Sequence, residues 1–96
     1  MRLYYVYMLA SRRNGTLYTG LTSDLVGRTW EHKSDLIKGF TRKYGVHILV
    51  WYEVHEDVHA AIRREKQIKR WNRAWKIRMI EQCNSGWNDL YEKLGT

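Results

Sequence analysis

Two tyrosine-bearing tripeptides near the N-terminus, Tyr5-Val6-Tyr7 and Tyr18-Thr19-Gly20, carry the first groups with chemical potential. A phenol can orient a water, or take its proton when a neighbouring cation stabilises phenolate. Its ordinary pKa of about 10 makes that help necessary. Arg28 and His32 follow four residues apart, so on a helix they share a surface. A guanidinium there can grip a phosphate through two hydrogen bonds and offset charge that builds in a transition state. Imidazole can hydrogen-bond the same phosphate or relay a proton near neutral pH. Glu65 is the only acid between residues 63 and 78, among eight Lys and Arg. It lies on a stripe that otherwise reads apolar, Val58, Ala61, Ile62 and Ile68, where a carboxylate is costly unless paired or bound to a cation.

Each of these residues also has a plainer explanation. Tyr is a strand former and the chain has 7, so taken alone Tyr7 and Tyr18 read as sheet aromatics. Arg28 read alone is a solvated helix residue, and His32 a surface or half-buried histidine. Glu65 could make an i,i+4 pair with Lys69, worth a few tenths of a kcal/mol. For Glu65 the residues themselves leave the two readings evenly balanced.

The elements that would position these groups follow from pattern. Residues 3–9 and 16–21 alternate and are rich in Tyr, Val, Leu and Thr, with Asn14-Gly15 between them, so they form a hairpin. A turn centred on Asn14-Gly15 sets Tyr18 opposite Ser11, on the face that carries Leu9, Tyr7 and Tyr5. A bulge or longer turn would change that register, while parity fixes the face. Thr22 or Ser23 caps a helix from about Asp24 to Lys33, and the sheet-facing stripe is Leu25, Arg28 and His32. Residues 34–46 are irregular, with one helical turn at 40–44. A third strand runs from His47 to Val54. Asp57 caps a helix over 58–71, Asn72 breaks or caps, and a further helix runs to Cys83. Asn88 caps a short last helix, Asp89 to Leu94. The expected architecture is a small α/β (α+β) domain, a three-stranded mixed sheet flanked by helices. It is a single domain over 1–96, with a core of about 3–80 and a helical extension of about 81–96.

Composition narrows the partners. There are 17 Lys and Arg against 10 Asp and Glu, a formal charge of +7, in a chain that is 44% hydrophobic and so able to fold. A globular domain this basic is expected to meet a polyanion, most commonly nucleic acid. Lys38, Arg42 and Lys43 on the middle segment, with Arg63, Arg64, Lys66, Lys69 and Arg70, form the expected phosphate track. Trp71 is interleaved as a base-stacking candidate beside Trp75. No stretch approaches transmembrane length and no N-terminal run reads as a signal peptide. Cys83 is alone, which excludes an intrachain disulfide and a cysteine zinc cluster. A cytoplasmic location fits, with no membrane and no small-molecule cofactor. His55-Glu56-Asp57-Val58-His59 matches the letters of H-E-x-x-H, but Asp57 reads as the helix cap, so the histidines do not share a helical face.

The ordered set Tyr5-Val6-Tyr7, Tyr18-Thr19-Gly20, Arg28 and His32 resembles the GIY-YIG nuclease domain, in particular its small single-domain bacterial branch. The resemblance continues through Gly39-Phe40-Thr41-Arg42-Lys43-Tyr44 and Arg63-Arg64-Glu65-Lys66-Gln67-Ile68-Lys69. It spans roughly residues 3 to 80. The first tripeptide lacks the leading Gly of the family pattern, and the hydroxyl-bearing positions survive. The resemblance implies metal-dependent hydrolysis of nucleic-acid phosphodiester bonds, with DNA as the expected partner. It makes Tyr7 the general base, Tyr18 a positioning group, Arg28 and His32 phosphate or proton-handling groups, and Glu65 the ligand of one Mg²⁺, with Mn²⁺ as a substitute. Two other readings stay open on the residues alone: a nucleic-acid-binding module without turnover, and a basic protein-interaction domain.

Overall fold

The computed structural model describes residues 2–94, and the elements run β1 (Tyr4–Ala10), β2 (Leu17–Thr22), α1 (Leu25–Lys33), α2 (Phe40–Tyr44), β3 (Ile48–His55), α3 (Val58–Arg70) and α4 (Arg73–Cys83), then a 3-10 turn at Leu90–Lys93. The strands form one sheet of order β2-β1-β3. The expected α+β architecture is present, but the sheet is antiparallel throughout and not mixed, because both neighbours pair antiparallel to the central β1. β2 and β3 run the same way but never touch, so no parallel pair arises.

The hairpin turn lies one residue earlier than the Asn14-Gly15 pair suggests. Gly15 N–H donates to the Arg12 carbonyl (2.9 Å), and Asn14 takes the left-handed conformation at φ 57°. The turn therefore centres on Arg13-Asn14. Asn tolerates positive φ better than most side chains. Gly15 is needed for space, since a Cβ there would lie 2.3 Å from Ser11 Oγ. The shift moves the register by two residues, and Tyr18 now opposes Leu9 instead of Ser11. A two-residue slip preserves parity, so Tyr18 remains on the face of Tyr7.

Alternation then splits the molecule into two layers. Val6, Met8 and Ala10 face one way with Val50 and Trp51, under Ala61 and Ile68 of α3 and Ile80 of α4. Tyr7 and Leu9 face the other way, with Leu49, Val46 and Leu25 of α1. A β-bulge explains why Val50 and Trp51 share a face. Met8 pairs with Trp51 and Leu9 with Leu49, which leaves Val50 as the extra residue. Fully burying Ile68 and Ile80 stabilises by about 2 kcal/mol each.

Caps fix the helix starts. Asp24, and neither Thr22 nor Ser23, caps α1, its carboxylate accepting from Gly27 N–H at 3.0 Å. Gly27 leaves room for that carboxylate, because a Cβ would lie 2.2 Å from Asp24 Oδ2. Asp57 and Asn72 cap α3 and α4 as the sequence indicates. His55 ends β3 and bonds Glu53 at 2.7 Å, while His59 is exposed on α3, so the H-E-x-x-H letters form no paired site. At the chain's end Asp89 caps the 3-10 turn instead of Asn88, accepts from Leu49 N–H (3.2 Å), and pairs with Lys33.

Candidate active site

The site grows from Tyr7, at the centre of the central strand and fully buried. Its ring crosses the β1–β2 ladder toward Gly20, its register partner. Only a residue without a side chain fits there, since a Cβ at Gly20 would lie 2.5 Å from both Cζ and the phenol oxygen. This gives the glycine of the second tripeptide a steric role.

The phenol oxygen meets His32 Nε2 at 3.1 Å, and the other ring nitrogen, Nδ1, meets Thr41 Oγ1 at 2.9 Å. His32 comes from α1 and Thr41 from α2, so two helices and the central strand close one buried chain of hydrogen bonds. His32 is almost fully buried. It lies beneath the phenol and does not stand beside Arg28 on an open surface. Burial, then the Arg28 charge, hold its pKa below the ordinary histidine value, so the ring is neutral at neutral pH. A neutral imidazole has one donor and one acceptor. Either Tyr7 donates to Nε2 and Nδ1–H donates to Thr41, or both directions reverse. The sequence offered little signal for Thr41, a single hydroxyl in an irregular segment.

The buried stripe of α1 is Leu25, Thr29 and His32. Arg28 falls one position off it, contrary to the sheet-facing placement expected from periodicity. Its guanidinium is half exposed and pairs with Glu31 at 3.3 Å. It still acts on Tyr7. Burial pushes the phenol's pKa well above its usual range, the Tyr18 hydroxyl adds to that, and the Arg28 guanidinium opposes it. Arg28 thus stands at the rim, near the phenol and open to solvent, where a phosphate can reach it.

Tyr18 packs against both partners, with ring centroids 6.3 Å from Tyr7 and 5.4 Å from His32. Glu65 comes from α3, which packs against β2 and β1 in the opposite layer. Its charge still reaches the Tyr7 phenol, as the last and weakest of the influences that raise its pKa. The carboxylate is mostly buried at 18% exposure and pairs with Lys69 at 3.2 Å, the i,i+4 pair the spacing allows. Among the described residues no three His, Cys, Asp or Glu side chains cluster as metal ligands. A single carboxylate fits Mg²⁺ only where waters and a substrate phosphate complete the shell, a common arrangement for that cation. The half-exposed Lys69 ammonium would then have to move aside.

The basic residues divide. Lys38, Arg42 and Lys43 are exposed around α2, and Arg63, Lys66, Lys69 and Arg70 along α3. Arg64 is engaged within the fold. It holds Glu53 through Nε and Nη2 (3.1 and 3.3 Å), donates to Gln67, and lies over the Trp71 ring at 5.3 Å. Trp71 is partly buried against the α3–α4 core, and Trp75 is the more exposed of the two. Arg73 is also committed, donating to the Asn14 and Gly15 carbonyls and tying α4 to the hairpin turn. No helix among the described residues is long and apolar enough to cross a membrane.

Comparison with known proteins gives concordant matches. The GIY-YIG catalytic domain family matches residues 3–78. The chain is 33% identical over 82 residues to the UPF0213 protein SH2523 of Staphylococcus haemolyticus, covering 85% of this chain and 99% of that one. It is 32% identical over 68 residues to a UPF0213 protein of Aeromonas salmonicida, covering 71% of this chain and 50% of that one, so it spans about half of that relative. The solution NMR structure of the UPF0213 protein BH0048 from Bacillus halodurans superposes with a TM-score of 0.57. It is 29% identical and 98% of each chain is covered.

Proposed function

The chain belongs to the GIY-YIG catalytic domain family, a nuclease type of domain, and on that premise we propose that it hydrolyses phosphodiester bonds in nucleic acid, DNA first, with a divalent cation such as Mg²⁺. One observation carries the proposal: Tyr7, His32 and Thr41 form a buried hydrogen-bonded chain with the Arg28 guanidinium at its rim.

A phosphate enters against Arg28, which leaves Glu31 and holds the non-bridging oxygens. The attacking water reaches the buried Tyr7 phenol as Tyr18, packed against it, moves aside. Tyr7 takes the water's proton as its own passes to His32 Nε2, and the Nδ1–H is steadied by Thr41 Oγ1. Arg28 offsets the charge that builds on the phosphorus oxygens, and the leaving 3′ oxygen takes a proton from solvent. Glu65 would hold the cation, which when bound supplies Lewis-acid polarisation of the phosphate and leaving oxygen. Tyr7 at its raised pKa is protonated near neutrality, so it cannot act as a standing base. The histidine partner is what lets it pass a proton.

A binding module without turnover is the second reading, and the complete burial of Tyr7 favours it. Nicking of supercoiled plasmid or branched DNA with Mg²⁺ or Mn²⁺ separates the two. The proposal predicts metal-dependent nicking that Tyr7→Phe abolishes. Salt-sensitive binding with no nicking on any substrate supports the module.

A further inference from the structure

Beside the phenols the surface carries two large aromatic rings that the fold leaves half exposed. Phe40 and Tyr44 are 46% and 49% exposed on α2, four residues apart, with ring centroids 4.9 Å apart. Leaving two such rings in water is costly unless another surface covers them. Their place is specific. Phe40 stacks on Tyr18 at 6.2 Å with only 29° between the planes. Tyr18 in turn packs on Tyr7 and His32. A continuous series of rings therefore leads from the buried phenol out to solvent.

The segment that carries the pair bears charge of one sign. Residues 36–52 contain Lys38, Arg42 and Lys43 and no acid. All three cations are exposed, and Lys43 Nζ lies 5.4 Å from the Tyr44 ring centroid. The nearest acid in sequence on the N-terminal side, Asp35, bonds His47 at 2.7 Å. Aromatic faces set among exposed cations complement a base with its phosphates, which meets both features in one ligand. Stacking needs a free base face. A base inside continuous duplex has both faces occupied by its neighbours.

We propose that Phe40 and Tyr44 are a stacking platform for an unpaired base next to the phosphate held at Arg28. The site then selects single-stranded or locally opened nucleic acid over continuous duplex. The proposal rests on the nuclease reading for the identity of that phosphate. Lys43 and Arg42 hold the phosphates flanking the stacked base, and the stacking itself is tolerant of sequence.

The test uses the full chain in EDTA, so that binding is read without cleavage. Short DNA oligonucleotides carry one 2-aminopurine at successive positions, as single strands and as blunt duplexes. The expected result is quenching at one or two adjacent positions of the single strand and none in the duplex. Phe40→Leu and Tyr44→Leu each weaken single-strand binding by about tenfold and lose the quenching. Phe40→Trp and Tyr44→Trp restore both. Phe40→Leu also removes packing on Tyr18, so Tyr44→Leu, at the outer ring, is the cleaner variant if the first fails to fold. Equal affinity for duplex and single strand without quenching overturns the proposal. So does wild-type binding by Tyr44→Leu, or quenching that survives it and disappears in Trp75→Leu. The nuclease reading fails separately, through absence of metal-dependent nicking by the wild type, and the stacking result stands apart from that outcome.

Discussion

Gly20 stands directly across the β1–β2 ladder from Tyr7, and the phenol lies where a Gly20 side chain would be. A Cβ at that position would come within 2.5 Å of the phenol oxygen. The Tyr7 hydroxyl is also bonded to His32 at 3.1 Å, so a displaced ring loses that bond. Gly20→Ala is expected to displace the phenol and cost about 1–3 kcal/mol of stability, as overpacking does. Thermal melting reads the stability. Nicking by the folded fraction should fall far more than binding does.

Tyr7→Phe removes the hydroxyl and keeps the ring. Nicking should fall by about 10²–10⁴-fold, the usual worth of a proton-transfer group, with DNA affinity unchanged. The same variant has an alkaline signature. The folded pKa of Tyr7 is raised, so the folded state keeps its proton where the unfolded chain has lost it. Stability from this group is whole below about pH 10 and declines as pH rises beyond it. Chemical denaturation above pH 10 should show a steeper loss in the wild type than in Tyr7→Phe.

His32 has the opposite sign. Its folded pKa is lowered, so below about pH 6.5 the unfolded chain binds a proton that the folded chain refuses. Stability is whole above that pH and falls as pH drops. His32→Asn should flatten this acid limb relative to the wild type in denaturation at pH 5 to 7.5. It should also remove nicking, because Tyr7 loses its acceptor.

The basic residues should separate by what they already hold. Lys66 is exposed on α3, and Lys66→Ala should weaken DNA binding and reduce the slope of log affinity against log salt by about one. Arg64 already grips Glu53, so Arg64→Ala should mainly lower the melting temperature, leaving Glu53 short of a partner in a half-buried setting. Fluorescence anisotropy across a salt series, run beside melting curves, distinguishes them.

Much of this arrangement was legible in the chain. Face assignment survived a wrong register, because strand side chains repeat every two residues and the hairpin shifted by two. The caps at Asp57 and Asn72 were readable because a short polar side chain before an apolar run has few other uses. Periodicity erred by one position on α1, where Thr29 and not Arg28 faces inward. A nine-residue helix with Gly27 in its first turn leaves the stripe poorly defined. The bulge at Val50, the Arg64–Glu53 pair and the partnership of His32 with Thr41 depend on contacts between distant segments. No local pattern encodes them.

Everything proposed for the chemistry requires the Glu65 carboxylate, carried on a helix in the opposite layer, to serve the same phosphate as Tyr7. The direct measurement is plasmid nicking with Mg²⁺ by wild type and Glu65→Gln at matched DNA binding. The wild type should nick in a way that EDTA abolishes, and Glu65→Gln should lose at least about a hundredfold with affinity intact. Equal nicking by both proteins, or none by the wild type on plasmid, flap, junction or single strand, would contradict that requirement.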